Sequence, residues 1–297
     1  EGVNTLPAWS PDGKRLAYVS QRGPLPSGWG SRVLVIRSVE TGEERVLNPK
    51  LGRLSLPLHT PPQWSPDGRT LLVVGRDVKG VPGIYLIDSE SAAVTTVVRG
   101  SPGREIIRSA VWSRHGRSIL YVIQLSEQNT LLAEGSPLIE HDLKTGQEKT
   151  LLGRSPKPFA LSPDGKRIAL CCFEGEVRLM PSSGGEQTTI FKRSEDQWIN
   201  AQVAGFQWTP DGESLLFVNL NRKANKSELW QLSVATGEAR KTGLEMNGTS
   251  NEAFRTLAMH PDGRRIAFVS GDVDPEVWVM ENFLPGVEAK KAPAARR

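Results

Sequence analysis

The stretch Trp9-Ser10-Pro11-Asp12-Gly13-Lys14-Arg15-Leu16-Ala17-Tyr18-Val19 decides the fold, because it returns along the chain. Later copies begin at Trp64, Trp112, Leu161, Trp208 and Met259, at intervals of 47 to 55 residues. Each sets an apolar residue before a Ser-Pro-Asp-Gly-like turn and a run of small and branched apolar residues after it. A repeat of this length is one supersecondary unit that cannot bury its own faces and must stack on its neighbours.

The turn can be read residue by residue. Pro presets φ for the first central position of a type I turn, Asp suits the second, and Gly takes the left-handed position that re-aligns two strands. In the third copy Arg114-His115 replace Pro-Asp but Gly116 stays, because a positive φ is what the backbone requires there.

After each turn comes a second strand, such as Leu71-Leu72-Val73-Val74 or Leu215-Leu216-Phe217-Val218. Apolar residues at consecutive positions mean burial on both faces, as when small sheets stack. A variable segment and a third strand follow (Ile84-Tyr85-Leu86-Ile87, Leu229-Trp230-Gln231-Leu232). Then come a Gly hairpin (Glu40-Thr41-Gly42-Glu43) and a short polar fourth strand (Arg45-Val46-Leu47). Four antiparallel strands per repeat, six times over and without helical periodicity, predict an all-β, six-bladed β-propeller. Residues 1–284 are expected to form this single domain and residues 285–297 a basic tail.

The totals fit. A chain of 297 residues admits two domains by length, but the repeat leaves no stretch for a second core. No apolar run approaches the ~20 residues of a bilayer span, so membrane insertion is not expected. The chain opens on Glu1-Gly2-Val3-Asn4 without an initiator Met, as a mature or excised segment would. The adjacent Cys171 and Cys172 point to opposite faces of a strand and read as core residues, not as a disulfide. The net charge of +4 is matched by Lys290, Lys291, Arg296 and Arg297 in the tail, so composition does not point to nucleic acid.

The Trp-Ser-Pro-Asp-Gly-Lys/Arg-x-Ile/Leu-Ala phrase, with a Thr-Gly-Glu hairpin later in the blade, resembles the TolB-type propeller repeat, a WD-like family. The resemblance runs from Glu1 to about Leu284. It implies the propeller fold and a choice of roles: a protein-binding periplasmic module, the propeller portion of prolyl-oligopeptidase-like or tricorn-like peptidases, or a sensory module fused to kinases or winged-helix regulators. The phrase from Glu276 to Pro285 looks like the terminal blade of the regulator-fused class. No catalytic residue carries over, because the repeat has none.

Glu1–Asn4 is too short to supply an outer strand, and Gly286-Val287-Glu288-Ala289-Lys290 is a poor strand. The last blade is therefore expected to lack its fourth strand, with the missing piece upstream in a longer parent protein.

Asp12, Asp67, Asp164, Asp211 and Asp262 stand at equivalent turns around a ring and cannot form a carboxylate pair; they read as turn residues. Trp9, Trp64, Trp112 and Trp208 share one phase of the inner strand and read as packing between blades. The four histidines have no metal-ligand spacing, and hydrolase-elbow, P-loop and zinc-peptidase motifs are absent. Asp272-Val273-Asp274 is the one candidate for a bound cation, and its reading as a solvated loop prevails, so no metal and no cofactor are expected.

Function is then sought in the long loops of one face, where rigid scaffolds carry it. Trp29 and Trp198 fall in such loops as candidate interface anchors. Asn4, His59, Arg108, Lys157, Asn200, Gln202 and Arg255 enter the inner strands at the channel mouth, and three cations among them suit a carboxylate or acidic peptide. The leading expectation is a non-enzymatic propeller, monomeric as an isolated domain, that binds protein or peptide as the sensory or interaction part of a larger bacterial protein, in the periplasm or otherwise outside the cytoplasm, with a cytoplasmic place as the alternative. The alternatives are a lyase or hydrolase at the channel mouth, built from His59, Arg108, Lys157 and Arg255, or the substrate-gating propeller of a peptidase.

Overall fold

The computed structural model describes residues 3–22, 31–54, 60–101, 105–125, 136–153, 159–171, 175–193, 206–247, 257–270 and 276–283. They form twenty-four strands in six sheets, with no helix among the described residues. Blade one is β1 (Val3–Trp9), β2 (Arg15–Arg22), β3 (Ser31–Ser38) and β4 (Glu44–Leu47). Blade two is β5 (Arg53–Leu54), β6 (Gln63–Trp64), β7 (Thr70–Arg76), β8 (Pro82–Asp88) and β9 (Val94–Arg99). Blade three is β10 (Glu105–Trp112), β11 (Ser118–Leu125), β12 (Leu138–Asp142) and β13 (Glu148–Leu152). Blade four is β14 (Phe159–Leu161), β15 (Arg167–Cys171), β16 (Glu176–Pro181) and β17 (Thr188–Lys192). Blade five is β18 (Gln207–Trp208), β19 (Ser214–Asn221), β20 (Lys226–Ser233) and β21 (Ala239–Asn247). Blade six has only β22 (Leu257–Met259), β23 (Arg265–Ser270) and β24 (Glu276–Glu281), so the expected three-stranded last blade is what the described residues form.

One detail differs from the expectation. Blade two has one strand more than the four expected per repeat: β5, ahead of Trp64, pairs with the end of β7 through Arg53↔Arg76 and Leu54↔Gly75. The inner strand of blade two is thus split into β5 and β6, both laid on β7.

The turns hold by a bond set in which serine matters as much as Pro, Asp and Gly. Ser10 Oγ donates to Asp12 Oδ1 at 2.5 Å and accepts the Arg15 amide at 2.9 Å, while Asp12 Oδ1 accepts the Lys14 amide at 3.0 Å. Ser65–Asp67, Ser162–Asp164 and Thr209–Asp211 repeat the set. The hydroxyl is buried in each copy, so it is both the donor that holds the carboxylate and an obligatory partner of a strand amide. Gly116 keeps φ at 66° where its neighbours have changed, as the turn requires.

The core is six separate layers, each between two adjacent blades. Leu34, Ile36 and Val19 of blade one meet Trp64, Leu71 and Tyr85 of blade two, for example, and Ala169 and Val177 of blade four meet Trp208 and Phe217 of blade five. The thinnest layer is the closing one, where Trp9 and Leu16 of blade one meet only Ala258 and Ala267 among buried residues of blade six. Cys171 is a buried member of the layer between blades four and five.

The inner-strand tryptophans do pack between blades, and each also donates a hydrogen bond backwards around the ring. Trp64 Nε1 reaches Ala8 O at 3.1 Å, Trp112 reaches Gln63 O at 3.2 Å, Trp208 reaches Ala160 O at 3.1 Å and Trp9 reaches Ala258 O at 3.2 Å. The Leu161 and Met259 positions have no N–H to offer. Arginines staple the ring in the other direction: Arg15 lies 4.6 Å from the Trp64 ring centre and donates to Gly68 O, and Arg167 does the same with Trp208 and Gly212 O.

Candidate functional site

The loops joining second to third strands, and fourth strands to the next blade, emerge at one end of the barrel of blades. Most of the residues proposed for this face lie outside the described residues: Trp29, His59, Lys157, Trp198, Asn200, Gln202 and Arg255, together with Asp272–Asp274. Asn4 lies in β1, opposite Ser20, and is partly exposed. Arg108 is placed by its backbone. In β10, Ile107 pairs with Ile123 and Ser109 with Val122, so Arg108 is the extra residue of a β-bulge. A bulge bends an inner strand where it approaches the mouth and re-aims the residue that it carries. The sequence placed Arg108 at that mouth but not in a bulge, because a bulge is visible only once both strands are paired.

Two buried carboxylates, which the sequence reading passed over, organise this end of blades four and five. Glu228 is the third residue of β20 and is 3% exposed. Its Oε1 accepts from Lys241 Nζ at 2.8 Å and Asn221 Nδ2 at 3.0 Å; its Oε2 accepts from Trp230 Nε1 at 3.0 Å and Asn219 Nδ2 at 3.3 Å. Burial alone would raise its pKa, but the four donors outweigh it and bring the group to about 2. The Trp230 indole is stacked on Phe217, 6.4 Å between ring centres, with the Lys241 ammonium 5.9 Å from its own ring centre. Such a carboxylate stays ionised at neutral pH and has no proton to give; it fixes the strands and keeps Lys241 in place.

Glu176 holds the same position in blade four. Its Oε1 lies 2.8 Å from Lys192 Nζ, and its Oε2 accepts from Arg178 Nη2 at 2.7 Å. Lys192 first, then Arg178, hold its pKa below the usual carboxylate range. The signal for both was in the sequence: Glu176-Val177-Arg178, Glu228-Leu229-Trp230 and Glu276-Val277-Trp278 recur in the third strands of blades four, five and six.

The opposite end carries the turns. The Ser10, Ser65 and Ser162 hydroxyls are the first cause that lowers the pKa of Asp12, Asp67 and Asp164. These acids are committed to backbone amides, as their reading as turn residues requires. His260 sits here too, buried and turned onto blade one. His115 is exposed in its turn, and His141 Nδ1 lies 3.1 Å from Glu148 Oε1. Among the described residues no three His, Cys, Asp or Glu side chains converge as a metal site.

No protein-family model matches the chain. A putative TolB from Agrobacterium tumefaciens superposes with a TM-score of 0.66 at 17% identity, over 94% of this chain and 90% of that one. The chain has the TolB-type six-bladed propeller fold. An oligogalacturonate lyase in complex with manganese shares this fold with a TM-score of 0.65 at 17% identity, over 95% of this chain and 75% of the lyase. An acylaminoacyl peptidase in complex with a peptide chloromethyl ketone, Z-Gly-Gly-Phe-chloromethyl ketone, gives a TM-score of 0.55 at 17% identity, over 94% of this chain and 46% of the peptidase. In sequence, the TolB-type chain is 22% identical over 214 residues to the uncharacterized peptidase YuxL of Bacillus subtilis, which is 72% of this chain and 29% of YuxL.

These relatives correct the expectation that the chain is not an enzyme: a lyase and a peptidase share its TolB-type fold, and its relative in sequence is named a peptidase. The expectation rested on the absence of catalytic motifs from the repeats. Repeats specify the scaffold, whereas chemistry on a propeller is carried by loops or by chain outside the blades, where a repeat says nothing.

Proposed function

We propose that this propeller handles polypeptide for a peptidase-type protein, with the long-loop face and channel mouth holding an extended segment of substrate. The observation that carries the reading is the extent of the YuxL similarity, which takes in 72% of this chain but 29% of YuxL, about the share of a propeller beside a larger remainder. The acylaminoacyl peptidase likeness has the same proportions, 94% of this chain on 46% of that one. At the mouth, Arg108 on its bulge, Lys157 and Arg255 receive acidic or carboxylate groups, and Trp29 and Trp198 anchor apolar side chains.

The likeness to the lyase supports a second reading of the same cationic mouth, as a site for an acidic sugar chain with His59 and Arg108 beside it. One experiment addresses both. A fluorescein-labelled Glu-rich peptide and a labelled oligogalacturonate are titrated against the 297-residue chain, with polarisation as the readout. The polypeptide reading expects saturable binding of the peptide, weakened about tenfold or more by Arg108→Glu and by Trp29→Ala. Binding and cleavage of the sugar alone would replace it with the lyase reading, and unchanged peptide binding in both variants would remove the mouth from the account.

A further inference from the structure

We propose that the turn joining β10 to β11 in blade three, from Ser113 to Arg117, binds a ligand carboxylate in the place that an aspartate fills in the sibling turns. In four of those turns two donors converge on one carboxylate oxygen: a side-chain hydroxyl and the amide of the residue after Gly. Ser10 Oγ and the Lys14 amide meet Asp12 Oδ1 at 2.5 and 3.0 Å, and Ser162 Oγ and the Lys166 amide meet Asp164 Oδ1 at 2.5 and 3.0 Å. Ser65 and Arg69 treat Asp67 in the same way, as Thr209 and Glu213 treat Asp211. Blade three keeps both donors and lacks the acid. Ser113 Oγ accepts the Ser118 amide at 3.0 Å and Ser113 O accepts the Gly116 amide at 3.0 Å, so the turn keeps the shape of its siblings. His115 stands at the Asp position and bonds to neither donor. Among the described residues, the Ser113 hydroxyl proton and the Arg117 amide have no acceptor.

The charges around the turn have the matching sign. Arg114, His115 and Arg117 are exposed, and so are Arg69 and Lys166 in the turns of blades two and four. Arg69, Arg117 and Lys166 make no ion pair among the described residues. Arg114 Nη1 donates to Pro163 O, which holds its guanidinium beside the turn of blade four. These turns are packed against one another: a Cβ added to Gly116 would lie 3.4 Å from Pro66, and one added to Gly165 would lie 2.7 Å from Arg114 Cβ. The cations therefore stand on one rigid surface. The chain's own nearby acids are engaged elsewhere. Asp67 and Asp164 hold their own turns, Glu140 accepts from Ser118 Oγ at 2.8 Å, and Glu148 accepts from Tyr121 Oη at 2.7 Å. The segment 285–297 carries Lys290, Lys291, Arg296 and Arg297 against Glu288, a charge that opposes its docking beside three cationic turns. A carboxylate is the fitting oxyanion, because the sibling turns are built around one carboxylate oxygen. Its bonds to the hydroxyl and the amide are charge-assisted, and Arg114 and Arg117 supply the counter-charge. The turns lie at the end of the blades opposite the long loops, so this site is independent of the channel mouth.

The test follows the Arg117 amide in the NMR spectrum of the isotopically labelled whole chain. Succinate and an end-blocked Gly-Glu-Gly peptide are titrated, with chloride and phosphate for comparison. Both carboxylates are expected to move this amide saturably, and chloride is not. Ser113→Ala should weaken the response about tenfold, the worth of one hydrogen bond to a charged group. His115→Asp returns the acid to the turn, so it should abolish the response while raising the thermal midpoint. Because the protein becomes more stable as binding is lost, unfolding cannot imitate this result. Equal responses to the two ligands uphold the site for a small carboxylate. A preference for the peptide that is lost in Lys166→Glu upholds it for an acidic polypeptide. An amide that does not respond, a response unchanged in His115→Asp, or phosphate bound more tightly than either carboxylate overturns the proposal. So does a response that appears only after residues 285–297 are removed, since the chain's own end would then be the occupant.

Discussion

His260 Nε2 in blade six stands 3.0 Å from the carbonyl oxygen of Gly13 in blade one, so a side-chain hydrogen bond crosses the seam where the ring closes. His260 Nδ1 lies 3.0 Å from the Asp262 amide and 2.9 Å from Asp262 Oδ1, and Nε2 also lies 2.8 Å from Arg265 Nη2, so both ring nitrogens are held in a polar cluster at the seam. The same ring meets Trp9 edge-on at 4.6 Å. His260 replaces the turn serine of other blades; the amide five residues on, that of Arg265, goes instead to Asp262 Oδ1 at 3.3 Å, and the imidazole reaches the next blade. The bond falls where the closing layer buries the fewest apolar residues among those described.

The seam should therefore be the point of first opening. His260→Ala is expected to lower stability by about 1–3 kcal/mol, since it strands the Asp262 amide and the Gly13 carbonyl. Gly13→Ala should cost at least as much: Gly13 has φ of 70°, and an added Cβ would fall 2.3 Å from His260 Nε2. Because both changes act on one contact, urea unfolding of the double variant should show less than the sum. Additive losses would show the two residues to be independent.

The indole bonds can be separated from the indole packing. Trp64→Phe keeps an aromatic ring in the layer and removes the donor to Ala8 O, for an expected loss of about 1 kcal/mol. Trp9→Phe should cost more, because Trp9 also touches His260 and its layer is thin. Hydrogen exchange should then quicken first in β1 and β22. Equal losses at the two sites would mean that the seam is no weaker than the other interfaces.

Glu228 predicts a pH dependence with a definite sign. Its folded pKa of about 2 lies below the ordinary 4.5, so the stability it adds is fully present above about 4.5 and is lost as pH falls toward 2. Glu228→Gln should destabilise the protein by about 2 kcal/mol at neutral pH, since Lys241 loses its counter-charge. It should also flatten the fall of the urea midpoint within that acid window. An unaltered acid profile in the variant would assign the window to other carboxylates.

The turn serines offer a fourth test. Ser162→Ala removes the acceptor of the Arg167 amide and the donor to Asp164 together, and is expected to cost about 1–2 kcal/mol in thermal or urea unfolding. Asp164→Asn, at an exposed position that keeps an acceptor oxygen, should cost less. The reverse order would return the turn to Asp.

Blade number, turn geometry, the phase of the inner-strand tryptophans and the three-stranded last blade were all legible in the chain, because each follows from residues within one repeat of their neighbours. The candidate site was legible only as a place. Arg108 was visible as a cation entering an inner strand, but its bulge depends on how β10 pairs with β11. Glu228 and Glu176 were passed over because a glutamate near the start of a polar-edged strand looks solvated. Only the lysine brought back by the following strand, and in blade five the two asparagines of β19, reveal a buried, saturated carboxylate.

The sequence by itself determined a six-fold ring whose last blade has three strands among the described residues, since a repeated local pattern states its own strands and turns. The tertiary structure alone decided what crosses between repeats: indole to carbonyl, arginine over indole, and His260 onto Gly13. Those contacts join residues about fifty positions apart, or at opposite ends of the chain. No local pattern encodes such a pairing; it exists only once neighbouring blades are packed.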